Sequence, residues 1–527
     1  MQAPRPHPND DRRDPETPVD RTQEAVFALL GDASTHGGGP VRRCDTHASA
    51  VFLTPKRAFK VKRAVRFPFL DYSTLDKRKA ACAAELAINR RFAPRLYRRL
   101  AAITREPDGR LALDGQGEPV EWAVEMERFD ENQTLDHIAD RGAFDDALPG
   151  KLALAVAAMH ERAERADPDP WLAALPQYID QNTAAFRAAG DLFPGHAVDD
   201  LERRSLAALE RLRPLLTARG RQGLIRRGHG DLHLGNIVLL DGEPVAFDAI
   251  EFDPVIASGD VLYDLSFLLM DLVRRDLNLA ANGVLNGYFA ASRRIEDCDG
   301  LAALPLFMSL RAAIRAKVSA ARLDHAARQK RDRIIRSAQH YFQLALTLIA
   351  PPPPSVVCTG GLSGTGKSVL ARSLAPFILP APGALVLRSD VERKALFGVR
   401  ETERLPPEAY RPDVSEKLYA AMNDKAARIA RAGHSVIVDA VFARPSERAA
   451  IEAVARDAQA AFHGLFLTAS LETRLARIGG RGPDASDADA KVAREQEEFA
   501  IGAMNWVTVD ASASPEETLS RTRDALR

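Results

Sequence analysis

The sequence predicts a multidomain chain of two fold classes: an α+β module over residues 22–350 and an α/β module with a parallel sheet over 355–527. Three observations predict it. The run Pro351–Pro354 cannot continue the helical pattern before it and makes a stiff spacer. The stretch that follows, VVCTGGLSGTGKSVLARSL, sets a glycine-rich turn between an apolar strand and a helix. Upstream, hairpin patterns dominate residues 22–130 and helical periodicity dominates 131–350. The first module therefore has a small strand-rich lobe and a larger helical one.

Composition sets the bounds. A length of 527 residues exceeds one ordinary domain. The hydrophobic share of 46% and the charged share of 27% are typical of a soluble globular protein. Lys+Arg and Asp+Glu both total 72, so no global field recruits nucleic acid or an anionic membrane. Cys44, Cys82, Cys298 and Cys358 lie far apart without a C-x-x-C pair. That indicates neither a zinc site nor a disulfide framework and fits a reducing cytoplasm. The most apolar run, VLYDLSFLLMDLV, is too short to span a membrane and carries Asp264 and Asp271.

Taken in order, PRPHPNDDRRDPETPVD lacks an apolar segment, so residues 1–21 are expected to be a disordered lead and not a signal peptide. Residues 22–31 follow as a short helix that GGGP ends. SAVFLTPKRAFKVKRAV reads as two strands around a Lys-Arg turn, and its period-2 alternation puts Ala58, Lys60 and Lys62 on one face. KRKAACAAELAINRRF is the next helix and carries Glu85. LALDGQGEPVEWAVEMERF reads as a hairpin. TLDHIAD opens the helical lobe, which continues over 150–220 and 260–349 with Met159 and His160 facing the core. Between those helical stretches, IVLL reads as a strand, DGEP as a tight turn and VAFD as a second strand ending in Asp248.

The chemistry of the first module concentrates in His229–Asp253. HGDLHLGN places Asp231 five positions before Asn236, the spacing of a kinase catalytic loop. There the Asp accepts the proton of an attacking hydroxyl and the Asn carbonyl holds Mg²⁺. A hairpin return lets Asp248 supply the second metal ligand. Capping of ordinary turns by Asp, His and Asn is the simpler alternative, but three polar groups at these spacings with apolar strands between them favour catalysis.

These residues resemble the aminoglycoside phosphotransferase and choline kinase group, small-molecule kinases with a protein-kinase-like bilobal fold. The group's pattern has HGD, an Asn five residues after the Asp, a metal Asp, and then D-x-x-Y-D-L, here DVLYDL at Asp260–Leu265. The resemblance implies a phosphate-binding lysine, Lys60 or Lys62, fixed by Glu85, and an interlobe hinge at Glu127, Arg128 and Phe129. In FDAIEFD the chain departs from many relatives after the metal Asp, so the roles of Glu251 and Asp253 stay open.

In the second module, Gly361, Gly364, Gly366, Lys367 and Ser368 form G-x-x-x-x-G-K-[ST] between a strand and a helix, the context a P-loop requires. Glycines let backbone N–H groups approach phosphate, the lysine reaches the β/γ oxygens, and the serine hydroxyl takes Mg²⁺. ALVLRSD is read as a strand ending at Asp390, and SVIVDAVF carries Asp439. Ligands gather at the carboxyl ends of parallel strands. Asp439 thus suits a Mg²⁺ role, and Asp390 with Arg393 suits the acceptor side. Arg477 and Arg481 lie on a helix–loop of the type that closes over phosphates. This half resembles gluconate kinase, chloramphenicol phosphotransferase and the kinase half of polynucleotide kinases. Both halves in this order resemble bacterial fusions of an aminoglycoside phosphotransferase with a P-loop ATP-binding protein.

The expectation is a cytoplasmic, bifunctional ATP- and Mg²⁺-dependent phosphotransferase acting on small-molecule hydroxyl acceptors of aminoglycoside, sugar or amino-alcohol type. A nucleotide-binding regulatory switch is the rival from another class, and the intact Asp231, Asn236 and Asp248 favour catalysis over it. A 5′-hydroxyl kinase of nucleic acids is a third reading for the second half. Zero net charge and few aromatics weigh against it.

Overall fold

The computed structural model describes residues 21–67, 70–325, 327–480, 482 and 484–526. The lead expected over 1–21 lies outside them, apart from Arg21 at the start of the first helix, and so does Arg481. The chain packs as two compact units. One runs through Gln133 and adds Val245–Pro254; the other holds Thr134–Pro244 and everything from Val255 onward.

The first unit begins with α1 (Arg21–Gly31), β1 (Arg42–Asp45), β2 (Ser49–Leu53) and β3 (Arg57–Lys62). A short pair, β4 (Arg66–Phe67) and β5 (Leu70–Asp71), leads into α2 (Leu75–Phe92), which Thr74 caps by accepting from the Lys77 amide. Then come β6 (Tyr97–Arg105), β7 (Leu111–Leu113) and β8 (Glu118–Glu127). Six strands form an antiparallel sheet in the order β1-β2-β3-β8-β6-β7. Val26 and Leu30 of α1 pack onto Phe52, Phe59, Val61 and Ile103, while α2 packs against β8 and β6.

The hairpin expected over LALDGQGEPVEWAVEMERF is not a direct pair: β7 joins β6, and β8 inserts between β3 and β6. Burial decides this. β7 is short and half-exposed, whereas β8 carries the buried Glu121, Ala123 and Val124. β6, YRRLAAITR, has no predicted counterpart, because its charged first half masks a strand whose Ala101 and Ile103 are buried.

In the second unit, α3 (Leu135–Asp140), α4 (Leu148–Arg162), α5 (Pro168–Ala188) and α6 (Gly195–Arg221) precede β9 (Ile225–Arg227). Next come β10 (Ile237–Leu240), β11 (Glu243–Ala246), α7 (Pro254–Ala257) and β12 (Ser258–Asp260), the last paired antiparallel with β9. α8 (Val261–Arg274), α9 (Asn278–Ser292), α10 (Ile295–Gly300), α11 (Leu304–Ala321) and α12 (Arg328–Ile349) complete the lobe. Every residue from Val261 to Leu272 is buried, so α8 is the axis of this lobe. The expected DGEP turn is shorter than read. Asp241 and Gly242 alone make it, both at positive φ (54° and 78°), as a two-residue hairpin turn demands. β11 consequently stops at Ala246, and Asp248 follows the strand instead of ending it, in a left-handed conformation at φ 61°.

After the proline run comes a five-stranded, wholly parallel sheet. Its strands are β13 (Ser355–Gly361), β14 (Leu385–Arg388), β15 (Val436–Asp439), β16 (Ala461–Thr468) and β17 (Val507–Asp510), in the order β14-β15-β13-β16-β17. Around it lie α13 (Lys367–Leu374), α14 (Ser389–Leu396), α15 (Pro412–Arg431), α16 (Pro445–Asp457), α17 (Leu471–Gly479), α18 (Ala490–Glu495) and α19 (Pro515–Ala525). Val357, Leu370, Leu374, Ile437 and Leu465 form its core. β14 ends at Arg388, so Asp390 does not close a strand as expected. It sits in the first turn of α14, where the helix dipole favours an acid.

The sheet's edge strand is not free. Asn282 and Asn286 of α9 donate to the Ala384 carbonyl at 3.0 and 3.1 Å, and the Val386 amide donates to Asn286 at 2.8 Å. Arg428 of α15 pairs with Asp299 of α10 at 3.1 Å. Among the described residues, no helix is long and apolar enough to cross a membrane.

Candidate active sites of the two modules

In the first unit, β-strand alternation brings Lys60 and Lys62 to one face, and α2 lays Glu85 against both. Lys60 Nζ lies 2.8 Å from Glu85 Oε1 and 2.6 Å from Asp248 Oδ1. Lys62 Nζ lies 2.5 Å from Glu85 Oε2 and 2.5 Å from Glu251 Oε1, and the Tyr72 hydroxyl donates to Glu251 at 3.0 Å. Burial pushes the Glu85 carboxyl up, but the two ammonium groups outweigh it and hold it at about 2. Burial likewise opposes the charge on Lys60, and Asp248 and Glu85 raise its pKa well above the ordinary value. The cluster is graded in exposure: the Lys62 side chain is 3% exposed, Lys60 14% and Asp248 44%. Tyr97 of β6 accepts from the Asp248 amide at 3.1 Å and Asn89 of α2 from the Ala249 amide at 2.8 Å, which fixes the left-handed turn.

The second unit holds the HGD loop by its backbone. Asp264 of α8 accepts from the His229 and Gly230 amides at 2.8 and 3.0 Å. Asp271, two turns along, accepts from the Leu234 amide at 3.1 Å. From the other side, Arg311 of α11 donates to the Gly230 carbonyl at 3.0 Å while its guanidinium lies 3.9 Å from the centre of the Tyr263 ring. Within the loop, Asn236 Nδ2 donates to the Asp231 carbonyl and carboxylate, both at 3.0 Å. Burial pushes the Asp231 carboxyl up, yet His233, Arg315 and His229 together bring it below its ordinary value. It is therefore an ionised acceptor at neutral pH. DVLYDL supplies carboxylates that hold backbone and helix ends: Asp260 caps α8 and takes Arg219 at 2.6 and 2.8 Å.

In the P-loop, Gly361, Gly364 and Gly366 adopt φ of 134°, 85° and 94°. A Cβ on Gly364 would stand 2.7 Å from the Arg474 carbonyl, so glycine is required there. Arg474 of α17 is buried and donates to the Ser363 carbonyl at 2.8 Å, and Gln496 accepts from the Ser363 amide at 2.7 Å. Lys367 Nζ rests on the Leu362 carbonyl at 3.1 Å. Asp439, at the end of β15, is buried with Ser368 beside it, and Arg388 lies 3.6 Å away.

A family model described as "Phosphotransferase enzyme family" matches residues 71–304, and one described as "AAA domain" matches 356–500. The uncharacterized protein Rv2004c of Mycobacterium tuberculosis is 30% identical over 462 residues, covering 85% of this chain and 88% of that protein. The chain belongs to this two-module family. It is a phosphotransferase enzyme, a kinase-like domain fused to a P-loop kinase-like domain. Among solved structures, it is similar to a choline/ethanolamine kinase family protein from Mesorhizobium loti (13% identity, 62% of this chain and 99% of that one, TM-score 0.36). It is also similar to a gluconokinase from Sinorhizobium meliloti (22% identity, 33% and 95%, TM-score 0.23).

In this family member a cavity of about 1570 Å³ opens at the P-loop, lined by Lys367, Ser368, Asp390, Arg393, Asp439 and Arg477 among others. Removal from water pushes the Lys367 ammonium down against the pull of Asp439 and Asp390. The glycine cradle, the lysine at its base and Ser368 beside the buried Asp439 fit a magnesium nucleotide. In the loop of the first module, Asp231 occupies the Asn236 amide nitrogen, which leaves the carbonyl oxygen as the atom suited to a cation. Arg393 donates to the Ala409 carbonyl at 2.6 Å and stands 5.0 Å from the Tyr410 ring, so it shapes the cavity wall. Arg477 is tied to the Ala511 and Ala513 carbonyls at 2.8 and 2.9 Å, and closure over a phosphate would require those bonds to break. The sequence reading missed Arg311, Arg388, Arg474 and Gln496. Arg311, Arg474 and Gln496 hold backbone and Arg388 holds the Asp484 carboxylate, all far away in sequence, and no local spacing announces that.

Proposed function

We propose that the protein is a bifunctional ATP-dependent phosphotransferase, each half transferring the γ-phosphate to a hydroxyl of a small molecule of sugar, amino-alcohol or aminoglycoside type. The hold on the HGD loop carries this reading for the first half: three buried groups fix the backbone around an ionised Asp231 that already bonds Asn236. Such preorganisation is what a general base needs. In the transfer, the acceptor oxygen forms a bond to the γ-phosphorus, the bond to the β–γ bridging oxygen breaks, ADP leaves with that electron pair, and Asp231 takes the hydroxyl proton. Asn236 in the second unit and Asp248 in the first are each suited to offer an oxygen to Mg²⁺, which would neutralise the charge developing on the phosphates. Lys60 is the phosphate lysine, since Lys62 is almost wholly enclosed with Glu85 and Glu251 whereas Lys60 is the more open and pairs with Asp248.

In the second half, Lys367 holds the β/γ oxygens, Ser368 and Asp439 take the metal, and Asp390 orients the acceptor hydroxyl. The test is Asp231→Asn in the full chain. Nucleotide affinity should stay within a few-fold while turnover by the first half falls about 10²-fold or more. Near-wild-type turnover would sink the assignment.

A further inference from the structure

Beside the clamped loop, the helical lobe carries arginines that no carboxylate pairs with among the described residues. Arg311 and Arg315 lie one turn apart on α11 and so share a face. Arg311 reaches the Gly230 carbonyl at 3.0 Å, and Arg315 lies near the next residue, Asp231, whose carboxyl its charge helps to hold down. The Arg315 guanidinium carbon also lies 5.8 Å from the centre of the Tyr341 ring of α12. Arg274 of α8 lies over the same ring at 5.0 Å, and its buried Nε has no hydrogen-bond partner among the described residues. Arg322, just past the end of α11, is depressed first by burial and then by the like charge of Arg315.

Neighbouring Arg275 shows the contrast, since it takes up both Asp140 and Asp271. Among the described residues, Arg274, Arg315 and Arg322 have no carboxylate within ion-pair distance. Asp271 reaches the Tyr341 hydroxyl at 3.5 Å but lies 3.6 Å from Arg275, which shares its charge, and Asp231 has its own task. Arg274 and Arg315, half-buried over the same ring, repel one another, and a bound anion relieves that cost. Guanidinium groups suit a phosphate or carboxylate, which they take in paired hydrogen bonds.

We propose that Arg315, with Arg274, forms an anion subsite beside Asp231, so that the hydroxyl compound phosphorylated by the first module carries a phosphate or carboxylate group. This rests on Asp231 being the base. It narrows the acceptor to anionic members of the small-molecule classes and disfavours polycationic aminoglycosides, which the cluster repels.

Inorganic phosphate titrated calorimetrically into the full chain is the probe. The variants leave residues 361–368 untouched, so the P-loop contributes the same background to each. A phosphate-binding event should weaken about 10-fold or more in Arg315→Gln, the scale of one charge-assisted bond. Arg274→Gln should weaken it too, and Arg315→Lys should restore part of it. Asp231→Asn should tighten it by removing a neighbouring negative charge. Identical isotherms for the parent and Arg315→Gln would overturn the subsite, as would kanamycin turnover indifferent to Arg315→Gln. Should Arg315→Gln not fold, Arg315→Lys carries the comparison, because it keeps charge and loses the paired geometry. The two assignments fail separately. Arg315-dependent phosphate binding with full turnover in Asp231→Asn removes the base alone, whereas Arg315-independent binding with an inactive Asp231→Asn removes the subsite alone.

Discussion

The lysine cluster of the small lobe and the P-loop are the two proposed phosphate sites, and they are built in opposite ways. The first is made of side chains: two ammonium groups and three carboxylates, with Glu85 wholly enclosed. The second is made mostly of backbone, with glycines at positive φ and one lysine resting on a carbonyl. A side-chain cradle is part of the core that surrounds it, so function and stability are hard to separate there. A backbone cradle draws its shape from local conformation and can lose its lysine without unfolding.

The sharpest break between the two is Glu85→Gln. Removing that carboxylate leaves Lys60 and Lys62 in a half-buried site with one anion fewer, and the small lobe should lose about 3–5 kcal/mol. Hydrogen exchange at the amides of β3 and α2 measures it, with the P-loop sheet as the unchanged control. Equal protection in both variants would reduce the cluster to an ornament of the surface.

Acid should separate the regions next. His434, buried and bonded to the Gly383 carbonyl at 3.0 Å, is pushed down by burial from 6.5 to about 4. The unfolded chain thus binds the proton first, and the stability His434 contributes at neutral pH is lost as pH falls from about 6.5 to 4. Glu85, lowered from 4.5 to about 2, contributes stability above 4.5 that is lost between 4.5 and 2. The P-loop module should therefore loosen first, by about 3 kcal/mol for a shift of this size. Trp506 of that module and Trp122 of β8 report the two transitions separately in variants that keep one tryptophan each. Simultaneous transitions would show that neither group sets the order.

Lys367→Ala should leave the fold intact and lower turnover by the second module about 10²-fold, equivalent to about 2.7 kcal/mol. Activity of the first module should be unaffected in the same preparation, and loss of both would mean that the halves are coupled. Asn286→Ala should have the smallest effect, about 1 kcal/mol from a hydrogen bond to a strand amide. A thermal scan following Trp506 resolves it.

The same contrast explains what was legible in the sequence. The P-loop is contiguous, so Gly361 to Ser368 announce strand, turn, helix and ligand together. Asp231 and Asn236 share one loop and were equally plain. Lys60, Glu85 and Asp248 are scattered, and only the kinase-like order of elements tied them to one another. What stayed hidden was long-range: Arg311 on Gly230, Arg474 on Ser363, and strand β6 behind its arginines. Asp390 and Asp248 were found by type and misplaced by a residue or two. A helix start that takes an acid in its first turn and a left-handed turn moved them, and neither shows in hydrophobic period.

The two asparagines of α9 on β14 bear on why these activities share a chain. A parallel sheet ends in strands whose amides and carbonyls invite another strand, and open edges are where such folds aggregate or recruit strangers. Here the partner that occupies the edge is encoded upstream and emerges from the ribosome before the sheet does. The edge of β14 therefore meets a partner already made when its strand forms. That is a reason for fusion that owes nothing to shared substrates.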